Sequence, residues 1–152
     1  MEETSGVKFP PPLLYLAGFL AGVALEAAVP ADRPPLAVTL AATAITLAAW
    51  WYFDGRATVA FTRAKTSMIV MKPSTTLVTE GPFQLTRNPM YVGIAFLYVA
   101  IAFAVGLVWP LAFLPLVLIA VDRLVIAREE PYLLRRFGAP YAGGVVRVRR
   151  WL

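Results

Sequence analysis

The 152-residue chain has no cysteine and no histidine. Without thiols there is no disulfide framework and no thiolate nucleophile. Without imidazole as well, the usual zinc ligand sets, a haem axial histidine and a Ser-His-Asp triad are excluded. No glycine-rich loop stands in a Rossmann or P-loop context. Charge is scarce too: 15% of residues are Asp, Glu, Lys or Arg, against 59% hydrophobic. A soluble domain of this length is rarely so apolar. The composition therefore reads as a single polytopic membrane domain spanning residues 1–152, with no metal site.

Four apolar stretches are present, at residues 12–29, 35–53, 90–104 and 107–127. A helix rises about 1.5 Å per residue, so about 18–20 residues cross the hydrocarbon core. The expected fold is all-α: four transmembrane helices plus a short C-terminal amphipathic helix. The third stretch is short and must thin the bilayer, stand untilted or draw on its flanks. Lys8 ahead of the first stretch, and the small residues Ala28-Val29-Pro30-Ala31, also fit a signal peptide. Pro30 is a poor cleavage context and Glu2 and Glu3 do not suit a positive leader, so the stretch is read as a span.

Thirteen of the fourteen Lys and Arg residues lie in the leader, in residues 56–87, or from Arg123 onward. Only Arg33 lies in the first turn, and the turn at 106–110 carries no charge. By the positive-inside rule both termini and the long middle loop are cytoplasmic. An even number of spans agrees. The net charge of +5 is thus juxtamembrane, pointing to the lipid bilayer as partner and away from nucleic acid. The compact length and the lack of a eukaryotic targeting tail point to a prokaryotic plasma membrane.

Residues 1–11 read as a mobile leader. Trp50, Trp51, Tyr52 and Phe53 form an aromatic belt closing the second span. Glu26 lies a turn from Pro30, shallow enough to snorkel to the outer surface. Residues 54–88 form the long inter-span loop, expected to cover the cytoplasmic mouth of the bundle.

Two polar clusters bracket the second hairpin and return to one membrane face. In the first, Asn88 is expected to N-cap the third span, with Pro89 at its first position. A capped N-terminus aims free N–H groups at an anionic ligand group. Gly93, one turn in, permits close approach of a ligand or helix. Tyr91 adds a hydroxyl at the same level. In the second cluster, Glu129 and Glu130 stand at the expected C-terminus of the fourth span, where the helix dipole opposes them. Pro131 is expected to break or kink the helix after Glu130. A carboxylate there suits a ribose diol or an ammonium group, unless Arg128, Arg135 or Arg136 pairs with it. Residues 131–137 read as the amphipathic surface helix, ended by Gly138. The tail 147–152 is basic and Trp-anchored.

These clusters resemble the isoprenylcysteine carboxyl methyltransferase family, itself similar to phospholipid N-methyltransferases. The family pattern runs Gly-Pro-aromatic, then Arg-His-Pro-x-Tyr-x-Gly, a transmembrane hairpin, Glu-Glu, Phe-Gly-x-x-Tyr and a basic-aromatic end. Gly81-Pro82-Phe83, Arg87-Asn88-Pro89-Met90-Tyr91-Val92-Gly93, Glu129-Glu130, Phe137-Gly138-Ala139-Pro140-Tyr141 and Arg150-Trp151 fill those places in order. The match covers roughly the C-terminal half, residues 66–152. The resemblance implies an S-adenosylmethionine-dependent methyltransferase. Its cofactor would be held at the cytoplasmic face by Arg87, Asn88, Pro89, Tyr91, Gly93, Glu129, Glu130 and Tyr141. A lipophilic methyl acceptor would come laterally from the membrane, near Phe137, Arg150 and Trp151. Tyr91 and Arg128 are the candidates for the catalytic step. Two positions depart from the pattern. Asn88 replaces the commonest His and cannot titrate, and Gly144 falls where many relatives carry a second Tyr.

Methyl transfer from a sulfonium suits a chain without histidine. The leaving group is already activated, and alignment and desolvation carry the catalysis. A carboxylate or thiol acceptor is favoured over an amine, which needs a base. The competing readings are a membrane NADPH-dependent reductase of related topology and a non-enzymatic membrane scaffold. The Glu pair disfavours the reductase, because a 2′-phosphate prefers Arg. Ionisable residues gathered at one face, instead of the midplane, disfavour a small transporter subunit.

The charge topology is testable in this naturally cysteine-free chain. Single cysteines at Thr79 and Arg147 are expected to resist an impermeant maleimide in intact cells, and one at Leu107 to react. The reverse labelling pattern would overturn the orientation.

Overall fold

The computed structural model describes residues 4–69 and 71–152, with Val145 and Val146 as backbone only; Glu2 and Glu3 lie outside the described residues. The described residues contain helices and irregular segments and no strand. The α-helical segments are α1 (Pro12–Ala28), α2 (Leu36–Trp50), α3 (Arg56–Arg63), α4 (Pro89–Ala104), α5 (Trp109–Val121), α6 (Ala127–Phe137) and α7 (Ala139–Arg147).

Two widened, π-helical turns, Trp51–Gly55 and Asp122–Ile126, fuse neighbouring segments. α2 and α3 become one helix, Leu36–Arg63, and α5 and α6 another, Trp109–Phe137. These two are long and apolar enough to cross a membrane, whereas Pro12–Ala28 and Pro89–Ala104 are shorter apolar helices. At 17 and 16 residues, the shorter pair extend about 24–26 Å.

The fusions correct two expected boundaries. The second span does not stop at the aromatic belt. The π turn carries the helix past Asp54-Gly55 into α3, so the covering loop begins only after Arg63. The backbone also stays helical through Pro131, so the amphipathic segment is a continuation of the fourth apolar stretch. The upstream π turn already breaks the regular ladder, which is where a nearby proline is accommodated.

α4 is central: α2 lies along one side of it, and α1 packs on α5. The α1–α5 contact runs through Gly18 and Gly22, a small-xxx-small stripe. A Cβ on Gly22 would fall 2.4 Å from the Pro110 Cα. Phe53 stacks on Phe96, centroids 5.8 Å apart, between α2 and α4. The core joins Tyr15, Tyr91, Tyr98, Val117, Val121, Val125 and Ile126. α2 itself buries no residue and turns Leu36, Leu40 and Ile45 outward. A face this apolar and this open is what a helix in lipid presents.

Glu26 is bonded into the turns at its end of the bundle. Its carboxylate accepts hydrogen bonds from the backbone N–H groups of Ala31 (2.9 Å), Val108 (3.0 Å) and Trp109 (3.2 Å), capping α5 and tying the two turns together. The leader is likewise not free: Val7 is buried in the core cluster, with Phe9 and Trp151 against it. An apolar residue five positions ahead of a helix gains more from burial than from solvation.

Gly93 faces Asp54, where a Cβ would lie 2.5 Å from the Asp54 Cβ and 2.8 Å from its backbone nitrogen. Gly93→Ala must therefore displace backbone, and is expected to cost about 1–3 kcal/mol in thermal unfolding in detergent. Gly143→Ala, with open space at its Cβ position, is expected to be neutral or stabilising.

Candidate functional site

One cavity of about 1090 Å³ opens where the N-terminus of α4 meets α6, α7, the loop and the leader. Described residues of the loop after Arg63 lie over this mouth. Buried Thr66 accepts the Thr75 and Thr76 N–H groups through its Oγ1, at 3.0 and 3.3 Å. The Tyr132 hydroxyl accepts the Ser74 N–H at 2.9 Å, and Arg136 Nε donates to the Ser74 carbonyl at 3.1 Å. Met68, Met71, Leu77 and Val78 thereby form an apolar wall.

The polar wall is built from residues far apart in sequence. Arg87 Nη1 lies 2.9 Å from Glu130 Oε1. Arg150 meets the same carboxylate through Nε (3.0 Å) and through Nη2, and also reaches Asp122 with Nη1 at 3.1 Å. Trp151 Nε1 donates to Asp122 at 3.2 Å. The backbone follows: Arg87 N–H donates to the Arg149 carbonyl at 2.9 Å, while Thr86 Oγ1 and Asn88 Nδ2 both donate to the Arg150 carbonyl at 3.0 and 2.9 Å. The tail is thus clamped onto the entrance of α4.

Asn88 consequently makes no side-chain cap on α4. Its amide is used by the tail instead, a partner that local sequence cannot reveal. Glu130 is paired, but by Arg87 and Arg150, not by its helix neighbours.

Glu129 differs from Glu130 in every respect that matters chemically. Its Oε2 accepts the Tyr91 hydroxyl at 2.7 Å, and it has no cationic partner among the described residues. The Tyr91 backbone is itself fixed by the Tyr15 hydroxyl, which donates to its carbonyl at 2.8 Å. Glu129 is packed about by protein while its carboxylate lines the cavity. It lies beyond the apolar part of the helix. Burial pushes its pKa up to about 7; the Tyr91 hydrogen bond pulls down and the neighbouring Glu130 charge adds to the rise. Burial, and then Glu130, also raise the Tyr141 phenol.

Of the residues singled out from sequence, Arg87, Asn88, Pro89, Tyr91, Glu129, Glu130, Phe137 and Tyr141 line this cavity. Gly93 does not; it seats α4 against the π turn at Asp54. Arg128 is exposed and away from the cavity. Arg150 and Trp151 stand behind the wall and hold it. Asp122 anchors the tail through Arg150 and Trp151, a role that required the fold.

The sequence pattern of the phospholipid methyltransferase family matches residues 36–140. No curated protein and no solved structure matches the chain. The match contains Arg87, Asn88, Tyr91, Glu129 and Glu130, while Tyr141, Arg150 and Trp151 lie beyond it.

The raised Glu129 gives a signed pH dependence. Between the ordinary carboxylate value of 4.5 and about 7, the folded protein holds a proton that the unfolded chain has released. Stability from this group is therefore full in acid and falls as pH rises through that window. Thermal unfolding in detergent is expected to show the decline in wild type and to lose it in Glu129→Gln.

Proposed function

The chain belongs to the phospholipid methyltransferase family, and from that premise we propose an integral membrane S-adenosylmethionine-dependent methyltransferase acting on a lipophilic acceptor. The membership and the apolar helices support a membrane methyltransferase in general terms. The cofactor, the four-span topology with a cytoplasmic site, the resemblance to the isoprenylcysteine branch and the acceptor are our reading.

One observation carries it: two adjacent carboxylates in one cavity wall, of which Glu130 is neutralised by two arginines and Glu129 faces the cavity without a cation among the described residues. A buried carboxylate without a counter-charge is unfavourable until a cation or a proton joins it. The donor set fits S-adenosylmethionine, which is cationic at sulfur and carries hydroxyl, amine and carboxylate groups. Glu129 suits its positive or diol groups. Arg87 Nε, buried and without a hydrogen-bond partner among the described residues, suits an acceptor oxygen. The volume, about 1090 Å³, stands at the upper end of the range of about 300–1000 Å³ usual for ligand pockets.

Bound S-adenosylmethionine supplies a methyl group on a sulfonium that leaves as a neutral thioether. The chain's own part is to align, desolvate and manage a proton. Tyr91 and Tyr141 are buried side chains that line the cavity and hold the shape of its polar wall. The apolar loop wall excludes water, which strengthens the electrostatics within. Glu129, its pKa pushed up to about 7, is in its ionised form also placed to take a proton from an acceptor. Of the possible bases Glu129, Glu130 and Tyr91, Glu129 is the one this reading assigns, which weakens the preference for a carboxylate or thiol acceptor over an amine.

Calorimetry of S-adenosylmethionine with the detergent-purified protein tests this. Wild type is expected to bind, more tightly as pH rises through about 7 because Glu129 must release its proton. Glu129→Gln is expected to weaken binding about tenfold or more. Glu130→Gln should lower both affinity and melting temperature. No binding by a folded wild type would sink the proposal, and equal binding by Glu129→Gln would sink the site assignment. Labelled-methyl transfer into isoprenyl-cysteine, phospholipid and thiol acceptors then identifies the acceptor.

A further inference from the structure

A second cavity, of about 530 Å³, lies against α3 and is lined by Arg56, Val59 and Arg63 of that helix and by residues 76–82 of the loop. Neither arginine lines the chamber that holds Glu129 and Glu130. Neither forms an ion pair among the described residues. Glu80 is the acidic residue of this wall, exposed and paired with neither. Arg56 and Arg63 stand two turns apart on one face of α3, about 10.5 Å along its axis. The helix dipole at the end of α3 favours a cation at Arg63 but gives no reason for Arg56. Arg56 lies over the Tyr52 ring, 5.3 Å from its centroid. Tyr52 belongs to the aromatic belt, and belt residues sit at headgroup level. The loop wall is held at both ends. Thr66 Oγ1 accepts the Thr75 and Thr76 N–H groups at one end. Phe83 packs edge-on against Phe61 of α3 at the other, centroids 5.4 Å apart. Between them, the backbone N–H groups of Leu77, Val78 and Thr79 donate to no other group among the described residues. Residues 76–79 line both cavities, so one irregular segment is a wall shared by the two.

We propose that Arg56 and Arg63 bind a phosphate group at the membrane surface, in a site separate from the chamber that shares the wall 76–79 with it. Two cations without acidic partners favour an anion, and planar guanidinium groups match phosphate oxygens in pairs. The level of the belt selects the anion, because phosphate is the charged group a bilayer presents there. Lipid headgroups and free phosphate share this chemistry. Val59, exposed between the two arginines in sequence, offers the first methylenes of a lipid an apolar contact. The consequence reaches the chamber. A phosphate held by both arginines and by the loop backbone restrains residues 77–79, which are part of the chamber wall. An anionic lipid would thereby steady the chamber without entering it. None of this depends on which reaction the chamber carries out.

Calorimetry on the full chain in uncharged detergent uses three probes: dihexanoyl-phosphatidylglycerol, dihexanoylglycerol and inorganic phosphate. Wild type is expected to bind the phosphatidylglycerol and not the uncharged glyceride. The Arg56→Gln/Arg63→Gln double variant is expected to weaken that binding about tenfold or more. Its melting temperature should be unchanged, since both side chains are exposed. Lys72→Gln, which removes an exposed cation lining neither cavity, is expected to match wild type. Hydrogen exchange at the 77–79 amides is expected to slow when the lipid binds wild type, and not in the double variant. Inorganic phosphate binding as tightly as the lipid, and lost in the double variant, would uphold the site and assign it to free phosphate. Equal loss in Lys72→Gln would reduce the effect to general surface charge and overturn the inference. So would undiminished binding by the double variant, equal binding of the uncharged glyceride, no binding of either phosphate probe, or lipid binding that leaves 77–79 exchange unchanged. A wild type that binds the lipid through these arginines but binds no S-adenosylmethionine would uphold this site and reject the methyltransferase reading instead.

Discussion

The Glu130 carboxylate holds together the end of this protein that carries the cavity. Arg87 reaches it from the entrance of α4 and Arg150 from the tail, and Arg150 also grips Asp122 on the π turn. Three segments distant in sequence therefore meet at one anion. Such a network, partly shielded from water, is favourable only when every charge is matched. Asp122, Glu130, Arg87 and Arg150 satisfy that condition as two acids and two bases.

That balance leaves Glu129 as the odd charge. It shares a helix turn with Glu130 but has a phenol where Glu130 has two guanidinium groups. The pair thus divides its labour by environment. One carboxylate is fixed by two arginines as part of the frame. The other faces the cavity, holds its proton near neutrality and is open to a ligand. Tyr91 connects the two halves of the hairpin at this point, with Tyr15 steadying its backbone from α1.

Much of this was legible in the sequence, and the reasons for the rest are physical. Apolar run lengths located the helices because burial in lipid depends on composition alone. The two polar clusters and their common face followed from hairpin geometry. Helix ends were misjudged at Asp54-Gly55 and at Pro131, since local stop signals do not show a π turn that carries the helix through. Asn88 was expected to cap α4 because its competing partner, the Arg150 carbonyl, lies sixty-two residues away. Glu26 was read as snorkelling because its three N–H donors belong to separate turns. The resemblance seen in the polar clusters agrees with the family at the level of membrane methyltransferases; Tyr141, Arg150 and Trp151 stand outside the matched segment.

The tail clamp also sets an order of events during biosynthesis. Arg87 and Glu130 are made, and their helices placed, before Arg150 emerges from the ribosome. Until then Asp122 lacks its strongest partner and the entrance of α4 has nothing to bond its Asn88 amide. A chain arrested before residue 150 would therefore leave Asp122 and the Asn88 amide without these partners and the polar wall of the chamber without its brace.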